Sequence, residues 1–172
     1  MNLKIYKKSR KAVFVSPDKL ICLIDSGADI PVWCTDIRIL KQVMRAQLCE
    51  DCFTLLSGFG GHGESCVPVY KIPDFPISHE FIFKNMRTAF SAEQQNNKYD
   101  IILPLNLFSN CNIFFHVSSQ CKIDEIRMHS LYERTQIYCL PHYSQDEAGQ
   151  IIYMHDKKCL CSLGCFIQNE IS

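Results

Sequence analysis

Leu20-Ile21-Cys22-Leu23-Ile24-Asp25-Ser26-Gly27-Ala28-Asp29 runs from five apolar residues directly into an aspartate, a hydroxyl residue and a glycine. Five apolar residues without alternation are the pattern of a strand buried on both faces. Asp25 therefore emerges from a buried scaffold that fixes where its carboxylate sits. Ser26 supplies a hydroxyl that can donate to a carboxylate, and Gly27 lets the chain turn sharply while leaving its backbone groups open. The plain alternative is an aspartate that opens a turn after a strand. The surrounding sequence decides between the two.

Upstream, Ala12-Val13-Phe14-Val15 reads as a strand that meets the apolar run through a turn at Ser16-Pro17-Asp18-Lys19. Lys4, Lys7, Lys8, Arg10 and Lys11 crowd the first segment, where a charged edge that resists aggregation is favoured over a nucleic-acid arm. Downstream, Ile37, Leu40, Met44 and Leu48 recur at helical spacing and predict an amphipathic helix over 35–48. Strands are expected at 53–56, 66–72 and 80–83, then through the run Tyr99-Asp100-Ile101-Ile102-Leu103, with a short helix at 105–110 and a strand at 112–116. The fold class is all-β with one or two short helices.

Between the strands at 53–56 and 66–72 stands Gly58-Phe59-Gly60-Gly61-His62-Gly63, a formal match to the dinucleotide fingerprint G-x-G-x-x-G. The match fails on context. The fingerprint needs its last glycine to open a helix facing a pyrophosphate, whereas Ser65-Cys66-Val67-Pro68-Val69-Tyr70 offers β-type alternation and a proline. Strand, glycine tip and strand describe a hairpin, either an ordinary wide turn or a mobile cover over a ligand.

The 172 residues are 47% hydrophobic and 21% charged, sufficient for one packed domain with an appendage and too few for two large lobes. Eighteen basic residues balance eighteen acidic ones, so no global charge draws the chain to nucleic acid or to an anionic membrane. No apolar run approaches the roughly 18 residues of a membrane span. Met1–Lys8 scatters charges where a signal peptide needs an apolar core, which reads as a cytoplasmic location. Eleven cysteines, odd in number and irregular in spacing, make a poor disulfide framework and read as reduced, mostly buried thiols. Cys159-x-Cys161-x3-Cys165, near His142 and His155, and Cys49-x2-Cys52 are the two candidate zinc clusters. Neither forms a clean paired motif, and the expectation is no metal and no cofactor.

Three features together, in order, resemble the retropepsins, the single-lobe aspartic proteinases of retroviruses, retroelements and related stand-alone proteins, the short bacterial type being nearer than the retroviral. They are the loop Asp25-Ser26-Gly27-Ala28-Asp29, the glycine string at 58–63 in the place of the family's flap, and Ile101-Ile102-Leu103-Pro104-Leu105-Asn106-Leu107-Phe108 in the place of the strand and short helix that close the core. The resemblance covers about 1–118. It implies a closed acid-protease barrel, and a homodimer in which Asp25 of each subunit meets at a two-fold axis to activate water against a polypeptide substrate. It implies catalytic roles for Asp25, Ser26 and Gly27, and substrate contacts from Gly27, Ala28, Asp29, Gly58, Phe59, Gly60 and Gly61. Two positions depart from the pattern. Pro104 stands where the family has glycine, and Leu105 where retroviral members carry an arginine that pairs with the aspartate matching Asp29. Arg38 is the substitute partner considered for Asp29. The alternative reading is a catalytically silent module of the same type that dimerises or binds extended peptides.

From about Ser118 the chain turns more polar with weak periodicity, which divides it into a protease-like domain at 1–118 and an extension at 119–172. Segments 135–140 and 150–154 flank a polar stretch and predict an antiparallel hairpin. In retroviral members terminal strands interleave at the dimer interface. The extension is expected to pack on the first domain and to take over that work or cover the exposed edge.

Overall fold

The computed structural model describes residues 1–56, 65–92, 98–109 and 111–130, together with four short strands of the remaining tail. Strands β2 (Ala12–Val15) and β3 (Ile21–Asp25) pair antiparallel, Ala12 opposite Ile24. Their turn is closed by the Ser16 hydroxyl, which accepts from the Leu20 N–H at 3.1 Å, and by Lys19 in the left-handed region at φ 64°. Cys22, Leu23 and Ile24 are all buried, as an unbroken apolar strand requires.

The next strand in sequence, β4 (Val32–Trp33), does not pair with β3. A strand from much later in the chain, β8 (Ile101–Pro104), lies between them, parallel to β3 and antiparallel to β4. The connection from Asp25 to Pro31 must therefore pass over the end of β8, where Pro104 sits opposite Asp25. All four residues of β8 are buried, so this crossing rests on the interior.

Strand β5 (Gln47–Leu56) pairs antiparallel with β6 (Ser65–Pro76), and β6 with β7 (Ile82–Phe90), which also runs parallel to β4. Lys84 and Asp74 form an ion pair across β6 and β7. After a 3₁₀ turn at Leu105–Phe108 come β9 (Cys111–Val117) and β10 (Ile123–Ser130), an antiparallel hairpin whose second strand also pairs with β1 (Asn2–Leu3). Phe14, Trp33, Leu40, Ile72, Phe75, Phe83, Leu103, Phe108, Ile126 and Met128 fill one core. Each such side chain contributes about 1.5–3 kcal/mol by leaving water.

The structure is all-β in character, with corrections to the expected plan. The large sheet does not close into a barrel: its order runs β14 (Cys165–Phe166), β11 (Gln136–Cys139), β7, β4, β8, β3, β2, with β6 and β5 branching from β7, so β14 and β2 remain as ends. The helix expected over 35–48 shrinks to a short segment whose core, Ile39–Val43, is a π-type turn, with the Met44 N–H bonded to the Ile39 carbonyl at 3.0 Å. Arg45 at φ 53° ends it, and Gln47 and Leu48 then pair with Lys71 and Tyr70. Sheet pairing thus outcompetes the helical period, leaving Leu48 54% exposed.

The turn between β9 and β10 contains Ser118, so the division placed there cuts a hairpin whose second strand carries core residues Ile126 and Met128. In the tail, β11 runs parallel to β7 and antiparallel to β14, while β12 (His142–Gln145) and β13 (Ile151–Met154) pair with each other. A hairpin is present, but its first strand is 142–145 rather than 135–140. No helix among the described residues is long and apolar enough to cross a membrane.

Candidate functional site

Asp25 is the last residue of β3, and the loop after it is held at several points. The Gly27 N–H donates to Asp25 Oδ1 at 2.8 Å, and the Ala28 N–H to the Asp25 carbonyl at 3.4 Å. A Cβ at Gly27 would lie 3.3 Å from that same Oδ1, so any other residue would press the carboxylate aside by a few tenths of an ångström. Asn106, in the 3₁₀ turn after β8, donates from Nδ2 to the Asp29 carbonyl at 3.5 Å. At the far end Ile30 is buried with Val67 and Ala89, and the Pro31 carbonyl accepts from the Ala89 N–H at 2.8 Å and the Thr88 hydroxyl at 3.1 Å. The loop is strapped to β7 on one side and to the 3₁₀ turn on the other.

Asp25 is half-buried, Ser26, Gly27 and Asp29 are exposed, and Ala28 lies between. A cleft of about 370 Å³ opens beside Asp25 and Ser26. Its apolar wall is Ala12, Leu23, Ile24, Leu105, Phe115 and Ile123, and Arg10 and Lys11 complete the lining. Phe115 and Ile123 come from β9 and β10, on either side of the boundary expected at 118. Chemically, the site offers an anchored carboxylate, a neighbouring hydroxyl, an exposed loop backbone and a cleft with an apolar wall.

The structure brings Asp25, Ser26, Gly27, Ala28 and Asp29 together on one loop, trivially so because they are consecutive. Gly58, Phe59, Gly60 and Gly61 lie outside the described residues; Leu56 and Ser65, which flank that segment, are the last pair of β5 and β6. Arg38 does not serve Asp29. Its guanidinium Nε donates to Asp36 Oδ2 at 2.9 Å, and these hydrogen bonds hold the Asp36 carboxyl below its usual range. Sequence reasoning missed Asn106 and Thr88 as anchors of the loop, and Arg10 and Lys11 as cleft residues. Pro104-Leu105-Asn106 sits inside the quoted motif, but only the crossing of β8 beneath the loop gives Asn106 its task.

Among the described residues no group of three or more histidine, cysteine or acidic side chains could hold a metal ion. Cys49 and Cys52 lie on β5, where the Cys52 thiol contacts the Glu50 carbonyl at 3.3 Å. Cys159 and Cys161 lie outside the described residues, and Cys165 begins β14. Burial pushes the Cys22 thiol far up, with Asp100 adding to it, and raises Cys34 and Cys111 to about 12.

No family model matches the chain, and no curated protein or solved structure does.

Proposed function

We propose that the chain is a retropepsin-like aspartic endopeptidase that works as a symmetric homodimer. The observation that carries this is the Asp25 loop slung across the end of β8, with β8 inserted between β3 and β4 and the carboxylate pinned by the Gly27 N–H. That arrangement holds one half-buried carboxylate at the end of a buried strand, with the backbone of 27–29 beside it.

One carboxylate is not enough for this chemistry. In aspartic proteases two share a proton, because like charges in contact do not both ionise. The ionised member takes a proton from water as the water oxygen bonds to the scissile carbonyl carbon. The protonated member hydrogen-bonds the carbonyl oxygen, which becomes a hydroxyl of the tetrahedral diol. Proton transfer to the amide nitrogen then lets the C–N bond break into acid and amine. The chain holds a single Asp-Ser-Gly, so two copies of Asp25 meeting at a two-fold axis supply the pair. Ser26 would orient the outer carboxylate oxygens, and the Gly27 carbonyl would accept from an extended substrate.

A specific observation keeps the silent-module reading alive. β10 lies between β1 and β9, so the first strand of the chain pairs within its own chain, whereas terminal strands of retroviral members interleave between subunits. If that displaces the active dimer, the fold binds peptide without cutting it. The test is incubation of purified protein with unfolded polypeptides between about pH 4 and 7, with and without a peptidomimetic aspartic protease inhibitor. Inhibitor-sensitive cleavage supports the peptidase; peptide binding without cleavage supports the module.

A further inference from the structure

The cleft beside Asp25 carries two side chains that the proposed chemistry does not use. Ala12 pairs with Ile24 in the β2–β3 hairpin, so the residues preceding it, Lys11 and Arg10, run back alongside Asp25 and Ser26. Both are exposed, and Lys11 Nζ stands 5.6 Å over the Tyr99 ring, which limits where its charge can go. Among the described residues neither forms an ion pair. Asp25 is the one carboxylate in the lining, and its Oδ1 is taken by the Gly27 N–H. Two cations with no ion-pair partner among the described residues thus stand at the edge of a cleft with an apolar wall, where Leu105 is 36% exposed. Lone cations beside an apolar wall attract a partner that brings both a negative charge and an apolar group.

We propose that Arg10 and Lys11 select the substrate: the cleft takes an extended peptide in which an acidic side chain lies next to the apolar residue that fills the wall. This rests on the peptidase reading for its meaning as cleavage specificity, but it is read separately as binding. The cleft, at about 370 Å³, falls in the lower part of the range that holds small ligands, which suits one or two side chains rather than a folded partner.

The test uses three matched peptides that differ only in Glu, Gln or Lys beside one leucine. Binding to the Asp25→Asn protein is followed by fluorescence anisotropy, and hydrolysis by the unaltered protein is followed in parallel. Expected is a preference of about fivefold or more for Glu over Gln at low salt, with Lys weakest, shrinking as salt is added. In Arg10→Gln/Lys11→Gln the Glu-to-Gln ratio should fall toward one, and Arg10→Lys alone should keep most of it. Equal binding of the Glu and Gln peptides, binding of none of the three, or an unchanged ratio in the double variant would overturn the inference. Glu-selective binding without any hydrolysis sinks the peptidase reading and leaves this one standing. Hydrolysis with no charge preference does the reverse.

Discussion

Gly27 and Asp25 constrain each other through a few tenths of an ångström. Gly27→Ala places a methyl 3.3 Å from Asp25 Oδ1, inside comfortable contact, and the carboxylate must swing to relieve it. The loop lies at the surface, so the change should cost about 1 kcal/mol of stability or less while lowering kcat/KM at least tenfold, read by urea titration beside a peptide assay. Asp25→Asn keeps an oxygen for the Gly27 N–H and so should fold normally, yet it cannot accept a proton from water. Turnover should drop by about a thousandfold or more with the circular dichroism spectrum unchanged. Undiminished cleavage by that variant would place the active site elsewhere. The thiols give an independent check on the core. At about pH 8, iodoacetamide should modify the exposed Cys66 and Cys121 and spare Cys22, Cys34 and Cys111 until the protein unfolds. Cys34 and Cys111 are raised from 9.0 to about 12, so between those values the unfolded chain gives up protons that the folded chain keeps. Their contribution to stability is full below 9 and should be lost as pH rises toward 12, visible as a falling Tm. A flat Tm across that window would contradict the burial of these groups.

At the scale of elements, β10 marks where local pattern and tertiary pairing part company. Only Ile126-Arg127-Met128-His129 within it alternates apolar and polar residues, and it lies beyond the polar turn at Ser118, where the change of texture suggested a boundary. Ile126 and Met128 are buried in the main core, and the Met1 amino group donates to the Met128 carbonyl at 2.9 Å. Truncation after Ser118 should therefore yield insoluble or unfolded protein, and Ile126→Ala in the full chain should cost about 2–5 kcal/mol in urea unfolding. A soluble, cooperatively folding 1–118 fragment would contradict this account of β10. The segment 35–48 shows the opposite failure. Leu40 and Met44 obey the helical period and are buried, but Leu48 obeys it by coincidence, since Arg45 breaks the helix and the residues after it join β6. Periodicity carries no information about which competing hydrogen-bond partner a segment will meet. β3 and β8 were legible because a strand buried on both faces has no competing surface to satisfy. The loop between β3 and β4 was legible as a motif, whereas its anchors Asn106 and Thr88 depend on a crossing that joins residues far apart in sequence.

For the molecule as a whole, the proposed chemistry needs two carboxylates where one chain supplies Asp25. One chain presents a half-buried Asp25 at the start of an exposed loop, and β9 lies at an edge of its three-stranded sheet with Phe114 54% exposed. These features suit completion by a second copy, while β10 already fills the place between β1 and β9. The central claim of the proposal is that two copies of the chain together form a peptidase. It is tested by the specific activity on an unfolded polypeptide as chain concentration is lowered through the monomer–dimer transition followed by sedimentation. The shared-carboxylate account predicts that specific activity falls with the dimer fraction. Specific activity that stays constant while the protein is monomeric would contradict it, as would no cleavage at any concentration.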